Sequence, residues 1–328
     1  MTNDPMKTPL NVVVLTYNEA LNLTDCLASV ADWAESMFVV DSGSTDRTVE
    51  IAEQFGARVF QHPFETHAKQ WQWALDNLPL ETDWVLGLDA DQSLTPELAE
   101  EIAALTERDV RNRLCKAPDG PSGQSVPDTF YCGFYCGYEI KRRQIFRGRW
   151  IRHGGYYPIY LLKLFRRDAV RLDTGDLVDH HFHVDAPVGR LRYDLLERNR
   201  NEDQISFWIA KHNRYAKLLA EEEWRCRNGD YGPLLSSKKR FWYRLPLYLR
   251  PLLYFFYRYV LRCGFLDGKQ GFIFHFLQAY WFRLLVDINI DELRQTSTAP
   301  ADSPGEAVKS SSADFQRPAE KVGHFRRK

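Results

Sequence analysis

Three times in the first hundred residues, an apolar run breaks off at a polar cluster and gives way to residues with helical spacing. Residues 10–15, which include Val12-Val13-Val14-Leu15, end at Thr16-Tyr17-Asn18-Glu19, and Leu23, Leu27 and Val30 then recur on one helical face. Met37-Phe38-Val39-Val40 ends at Asp41-Ser42-Gly43-Ser44-Thr45-Asp46, followed by a helix that carries Val49, Ala52 and Phe55 and stops at Gly56. Residues 57–60 supply another strand, and residues 66–77 another helix. Trp84-Val85-Leu86-Gly87-Leu88 is apolar on both faces, as a central strand must be, and ends at Asp89-Ala90-Asp91 before Thr95-Pro96 opens a helix through residue 105. Alternating strands and helices predict right-handed βαβ units in a mostly parallel, Rossmann-like α/β sheet flanked by helices. Ligands of such sheets gather at the carboxyl ends of the strands, where all three polar clusters lie.

Further along, residues 119–128 are rich in Pro, Gly and Ser and read as a loop, with strand-like stretches at 129–140, 144–151 and 160–165. Residues 191–223 have helical composition. From 238 to 285 the chain becomes basic and aromatic, and after 295 Ser, Pro, Ala and charges prevail. These shifts divide the chain into a tail (1–9), a ligand-binding half-domain (10–110), a second half of the same domain (111–190), a helical basic-aromatic region (191–294) and a disordered tail (295–328). With 43 Lys and Arg against 44 Asp and Glu, no global field favours nucleic acid as a partner. The six cysteines are scattered, and residues 1–9 lack a basic and apolar leader pattern, so a cytoplasmic setting is expected. No window reaches the roughly 20 apolar residues that a spanning helix needs.

Two carboxylates at i and i+2 after a buried strand can direct hard oxygen ligands at one divalent cation, which makes Asp89 and Asp91 the candidate metal ligands. A solvated turn is the alternative for an isolated Asp-x-Asp. Asp41 can accept a bond from the N3–H of a uracil, with Thr16, Asn18 and Glu19 around the base and ribose. Ser44 and Asp46 have a simpler use as helix N-caps. His180, His181 and His183 do not make a zinc site, because strand alternation puts His180 on the opposite face and no cysteine is near.

The ordered motifs Val14-Leu15-Thr16-Tyr17-Asn18-Glu19, Val40-Asp41-Ser42-Gly43-Ser44-Thr45-Asp46 and Leu88-Asp89-Ala90-Asp91 resemble those of family 2 glycosyltransferases of the GT-A fold. The resemblance implies nucleotide contacts from Thr16, Asn18, Glu19 and Asp41, and a divalent cation, Mn or Mg, held by Asp89 and Asp91 against a nucleotide-diphosphate sugar. Lys69 is similar in placement to a basic residue near the nucleotide in that family, with Gln70 adjacent in register. Inversion requires a base to deprotonate the acceptor hydroxyl. Gly175-Asp176-Leu177-Val178-Asp179-His180-His181-Phe182-His183 resembles the place where lipopolysaccharide-core and exopolysaccharide transferases carry a Val-His-Glu or Val-Asp-Glu element. Asp179 is the candidate base, with His180 and Asp176 in competition. Phe265-Leu266-Asp267-Gly268-Lys269 also resembles an element of those transferases.

The cations and aromatic faces of residues 147–158 suit an acceptor sugar or an anionic head group, with Arg152, His153 and Tyr157 as candidate contacts. Lys238, Lys239, Arg240, Arg244, Arg250, Arg258, Arg262 and Lys269 alternate with aromatics, a pattern that suits an anionic membrane surface. The same aromatics alternatively form the protein's own core or a homodimer interface. The expected activity is inverting, metal-dependent transfer of a hexose, from a UDP-sugar by preference, to a lipid-linked, lipopolysaccharide or exopolysaccharide acceptor at the inner face of the cytoplasmic membrane. The competing readings are a sugar-phosphate nucleotidyltransferase, against which no Gly-rich basic loop follows the first strand, and a catalytically inactive membrane-bound scaffold.

Overall fold

The computed structural model describes residues 7–114, 135–172, 182–228 and 237–298. Strand β1 (Thr8–Thr16) is followed by α1 (Leu23–Ala28), β2 (Ala34–Asp41), α2 (Thr48–Gln54), β3 (Arg58–Gln61), α3 (His67–Asn77) and β4 (Trp84–Asp89). β5 (Gln92–Leu94) and α4 (Pro96–Leu114) come next, then β6 (Gly137–Phe146), β7 (Arg149–Trp150), β8 (Ile159–Arg166), β9 (Val170–Leu172), β10 (Phe182–Val184) and β11 (Val188–Glu197). Helices α5 (Ile205–Asn228), α6 (Ser237–Arg244), α7 (Leu249–Phe256), α8 (Gly268–His275) and α9 (Phe282–Thr298) complete the described chain.

The large sheet runs in the order β3-β2-β1-β4-β8-β6-β11-β5, with β7 on β6, while β9 and β10 form a separate two-stranded ribbon. β1 is flanked in parallel by β2 and β4, and its apolar residues are buried on both faces. The parallel register puts Thr16 opposite Asp41 and Leu15 opposite Asp89. The polar residues that close three different apolar runs therefore stand at one level on one edge of the sheet. Alternate residues of these strands feed two cores. Val12, Val14, Val39, Leu86 and Leu88 pack with Leu23, Leu27, Ala52, Leu98 and Ile102 of α1, α2 and α4. Val13, Phe38, Val40 and Val85 pack on the other face with Trp71 and Ala74 of α3 and with Phe182. The expected helix-flanked α/β sheet of GT-A type is present.

The sheet is wholly parallel from β3 to β4 and mixed beyond it. Beyond it, β8 is antiparallel to β4 and β6, and β11 is parallel to β6 but antiparallel to β5. The helical reading of residues 191–223 needs correction at its start, because residues up to Glu197 belong to β11. Gly189, Leu191 and Leu195 are buried while Arg190 and Arg192 are exposed, a strand's alternation that the Leu191 and Leu195 spacing disguises as a helical repeat. After a 3-10 turn over Asn201–Asp203, the chain becomes α-helical only from Ile205.

A third core joins the later helices to the sheet: Trp208, Ala216 and Ala220 of α5 and Val286 and Ile290 of α9 pack with Phe274, Phe146, Ile151 and Tyr156. α7 continues through a π turn over Tyr257–Leu261, and a 3-10 turn over Gly264–Asp267 leads into α8, so that α7 and α8 form a helical hairpin. The reading of Arg250 as a membrane-facing cation is corrected here. Its guanidinium is fully buried, with Nε 2.7 Å from Asp287, Nη1 2.8 Å from Glu223, and Trp242 5.0 Å away under its plane. A guanidinium in a core needs such compensation, and here it ties α5, α7 and α9 together. Arg258 is also turned inward, to the carbonyl of Gly154 at 2.7 Å and the hydroxyl of Tyr254 at 2.8 Å. Among the described residues, no helix is long and apolar enough to cross a membrane.

Candidate active site

The strand ends form the site through side chains that first order their own loops. Asp41 closes β2 with no exposed surface. Its Oδ1 accepts from Thr16 Oγ1 at 2.9 Å and from the Ser44 hydroxyl, and its Oδ2 accepts from the backbone N–H groups of Gly43 and Ser44 at 3.0 and 2.8 Å. Gly43 has φ +85°, a left-handed conformation that lets both N–H groups turn back on the carboxylate. Asn18, at φ 56°, is also left-handed, a conformation that asparagine tolerates better than most residues. Its Oδ1 accepts from the Thr45 N–H at 2.8 Å, and its own N–H donates to Ser44 Oγ at 2.8 Å. The loops after β1 and β2 are thereby fused into one rigid floor, and Asp41 is committed to holding it.

Glu19 donates its N–H to Thr48 Oγ1 at 2.8 Å and accepts from Asn22 Nδ2 at 2.6 Å. Burial raises its pKa against the pull of that hydrogen bond. From Asn22 a polar chain crosses to the carboxylate pair: Asn22 Nδ2 also donates to Asn199 Oδ1 at 3.3 Å, and Asn199 Nδ2 donates to Asp91 Oδ2 at 3.2 Å. The backbone N–H of Arg198 is bonded to the Asp91 carbonyl at 2.8 Å. The chain therefore links the turn after β1, the turn after β4 and the segment that leaves β11.

Asp89 is partly exposed, and its Oδ2 accepts from Lys163 Nζ at 2.8 Å, an ammonium buried on β8. The pKa of Asp91 is raised well above the ordinary carboxylate range by burial, then by the negative charge of Glu197, with Lys211 opposing and Asp89 and Glu19 adding. Glu197 closes β11, where it accepts from Gln92 Nε2 at 2.9 Å and from Arg142 Nη1 at 3.1 Å. Lys211 of α5 donates to Glu202 at 2.8 Å; burial works against its charge, but Glu202, Tyr215 and Asp91 together outweigh it and the pKa stands above the usual lysine range. Asp89 and Asp91 offer hard oxygen donors, and the excess negative charge around Asp91 is what a divalent cation would offset, so this pair fits Mg or Mn. Among the described residues no cluster of three or more His, Cys, Asp or Glu residues forms a metal cage, so such an ion would take its other ligands from water or a bound diphosphate.

Lys69 points elsewhere: it pairs with Glu65 on the exposed side of α3. Its neighbour Gln70 is buried and reaches the floor, donating to Ser42 Oγ at 3.1 Å and accepting at 2.7 Å in its contact with His62 Nδ1. Asp179, His180 and Asp176 lie outside the described residues. The other candidate contacts share one loop. Arg152 is exposed, 5.3 Å from the centre of the Trp150 ring. His153 holds Asp267 through its backbone N–H at 2.9 Å and Nδ1 at 2.7 Å. Tyr157 donates its hydroxyl to Asp194 Oδ1 at 2.9 Å, and Arg143 Nε donates to the same carboxylate at 3.0 Å. Asp194 and Glu197 both belong to β11, so this strand connects the acceptor-side loop with the carboxylate pair.

Sequence reasoning missed Lys163, Glu197, Asn199, Asn22 and Lys211. Lys163 had a readable signal, a single charge inside the apolar run Leu161-Leu162-Lys163-Leu164-Phe165, because a charge buried in a strand needs a partner. The others are ordinary polar residues until the fold brings them to Asp91.

Residues 11–172 match the model of Glycosyl transferase family 2. An uncharacterized glycosyltransferase of Rickettsia felis is 40% identical over 93 residues, which are 28% of this chain and 32% of that protein. One of Rickettsia bellii is 39% identical over 93 residues, 28% and 31% of the two chains. The chain thus spans about a third of the length of these curated relatives. Among solved structures, Staphylococcus aureus TarS 1-349 in complex with UDP overlaps 89% of this chain and 92% of its own at 17% identity and a TM-score of 0.39. Glucosyl-3-phosphoglycerate synthase from Mycobacterium tuberculosis, in complex with Mn2+, UDP and glucosyl-3-phosphoglycerate, overlaps 26% of this chain and 34% of its own at 25% identity and a TM-score of 0.24. The family match runs from β1 to β9 and includes the ends of β1, β2 and β4, so this part of the chain is similar to domains of the glycosyl transferase family 2.

Proposed function

We propose that this chain transfers a hexose from a nucleotide-diphosphate sugar, UDP-linked by preference, to a lipid-linked, lipopolysaccharide or exopolysaccharide acceptor with inversion at the anomeric carbon. The observation that carries the reading is the alignment of the strand ends, Thr16 opposite Asp41 and Leu15 opposite Asp89, together with the polar chain from Glu19 through Asn22 and Asn199 to Asp91. A fused polar floor beside a pair of carboxylates suits a nucleotide on one side and its diphosphate on the other.

In this reading Thr16, Asn18, Glu19 and Asp41 form the nucleotide side, Asp41 mainly by fixing the floor, and Lys69 stays at its margin. Asp89 and Asp91 would hold a Mn or Mg ion, whose charge would neutralise that of the departing diphosphate. The bond from the anomeric carbon to the phosphate oxygen breaks as a bond to the acceptor oxygen forms, and the acceptor proton passes to a base. Asp179 is assigned that task, with His180 beside it. Arg152, His153 and Tyr157 present the acceptor. The enzyme works at the inner face of the cytoplasmic membrane.

Calorimetric titration with UDP, with and without manganese, tests the donor site. Binding should require the metal and be lost in Asp91→Ala; metal-independent binding that survives the substitution refutes the metal assignment. For the base, Asp179→Asn should abolish transfer and leave UDP binding intact, and near-normal turnover would remove Asp179 from that role.

A further inference from the structure

The helical hairpin of α7 and α8 carries an apolar surface that remains exposed among the described residues. Leu249, Leu252, Leu253, Phe256, Tyr257, Val260 and Leu261 follow one another at helical spacing, and each is 40–62% exposed. Phe265 and Leu266 extend the surface around the tip of the hairpin, and Phe272 and Phe276 continue it on the returning helix. A continuous stripe of this size on a soluble face marks an interaction surface.

Charge says what covers it. From Ser237 to Leu266 the sequence contains no Asp or Glu. The acid at the tip, Asp267, is buried against His153, and Asp287 is buried against Arg250. The acids left on the returning helix, Asp291 and Glu292, lie about four turns beyond Phe276, at the end away from the tip, where Asp291 accepts from the Tyr248 hydroxyl at 3.0 Å. Arg240 and Arg244 are exposed before the stripe, and Arg262 and Lys269 are exposed at the tip. Apolar side chains with exposed cations before them and at the tip match the boundary between acyl chains and anionic head groups. A second copy packed tip to tip about a two-fold axis would bring the same cations against one another. The helix from Leu249 through the π turn to Leu261 has 13 residues, about 20 Å, which is too short to span a bilayer and sufficient to lie in its surface.

We propose that the α7–α8 hairpin inserts its apolar stripe into the surface of an anionic bilayer and thereby fixes the acceptor-side loop at the lipid boundary, so that the acceptor is drawn from the membrane. The second half of this statement rests on the glycosyl-transfer reading; the first does not. The loop is bolted to the hairpin tip. The Gly154 N–H donates to the Arg262 carbonyl at 2.9 Å, Arg258 Nη1 donates to the Gly154 carbonyl at 2.7 Å, and His153 holds Asp267. Whatever depth the tip adopts, Arg152 and Tyr157 adopt it too. Attachment therefore combines apolar insertion with electrostatic attraction.

The test is flotation of the full chain with vesicles of phosphatidylcholine, with or without phosphatidylglycerol, at low and high salt. The wild type should float with the phosphatidylglycerol vesicles, and high salt should reduce this binding without abolishing it. Leu253→Glu combined with Leu261→Glu replaces two exposed side chains, so the melting temperature and UDP titration should stay unchanged while vesicle partitioning falls roughly tenfold or more. Three results overturn the proposal: a wild type that does not float, a double variant that floats like the wild type, or a dimer that the double variant dissociates in a protein that ignores vesicles. If UDP binding is absent while flotation behaves as expected, the glycosyl-transfer reading fails and the membrane surface stands.

Discussion

Replacing Gly154 with alanine probes the junction between the acceptor-side loop and the helical hairpin at a single carbon atom. Gly154 has φ +68°, and a Cβ there would lie 2.0 Å from Cε1 and 2.6 Å from Nε2 of His275. His275 has no room to yield. Its ring is fully buried, Tyr156 and Tyr259 stand beside it, and on another side a Cβ at Gly264 would lie 2.5 Å from Nε2. Gly148 supplies the control, because its φ is +75° and a Cβ there meets nothing within 4 Å. Gly148→Ala should therefore cost only the left-handed backbone, roughly 1–2 kcal/mol. Gly154→Ala adds overpacking of about 1–3 kcal/mol, for a total of roughly 2–5 kcal/mol. Urea unfolding of the two variants beside the wild type measures the difference. The same Gly154 variant should lose transfer activity through a raised KM for the acceptor, with UDP binding retained, because the bonds of Gly154 run to Arg258 and Arg262 rather than to the strand-end floor. If Gly154→Ala is no more destabilising than Gly148→Ala, the loop is not locked against His275 and its coupling to the hairpin fails with it.

Arg250→Met leaves Glu223 and Asp287 buried without their shared cation and should cost about 3–5 kcal/mol in urea unfolding; a loss below 1 kcal/mol would show that the carboxylates find other compensation. Burial pushes the imidazoles of His212 and His275 down from 6.5 to about 4, His212 in spite of its contact with the Trp208 carbonyl at 2.9 Å. Both are then neutral when folded and take up protons more readily when unfolded, so their stability is complete above about pH 6.5 and is lost as pH falls toward 4, by roughly 3 kcal/mol each. His212→Phe, which keeps the stacking on Trp208, should flatten the acid side of the stability profile, and an unchanged acid slope would contradict the assignment. Lys163→Met removes a positive charge from beside Asp89 and should tighten manganese binding roughly tenfold in a direct titration; weaker binding would mean that Lys163 orients Asp89 for the ion.

The first half of the fold was legible because each of its elements is locally determined. β-branched runs apolar on both faces specify central strands, Asn18 and Gly43 mark left-handed turns, and the polar ends of the runs fall where parallel register must align them. β11 was illegible. Leu191 and Leu195 satisfy a helical repeat as well as a strand's alternation, and only pairing with β6 and β5 decides between them. Arg250 and Arg262 look alike in sequence, yet one is enclosed by Glu223 and Asp287 and the other is exposed at the hairpin tip. Such partners lie on other helices, so local pattern carries no trace of them.

By itself the sequence determined the α/β sheet and the three polar strand ends, because apolar periodicity and turn chemistry act over a few residues. The tertiary structure alone decided what surrounds Asp91. Glu197 reaches it from β11, the strand paired with β5, Asn199 from the segment just after β11 and Lys211 from α5, and electrostatic surroundings belong to whatever the fold brings within a few ångströms, however distant in the chain.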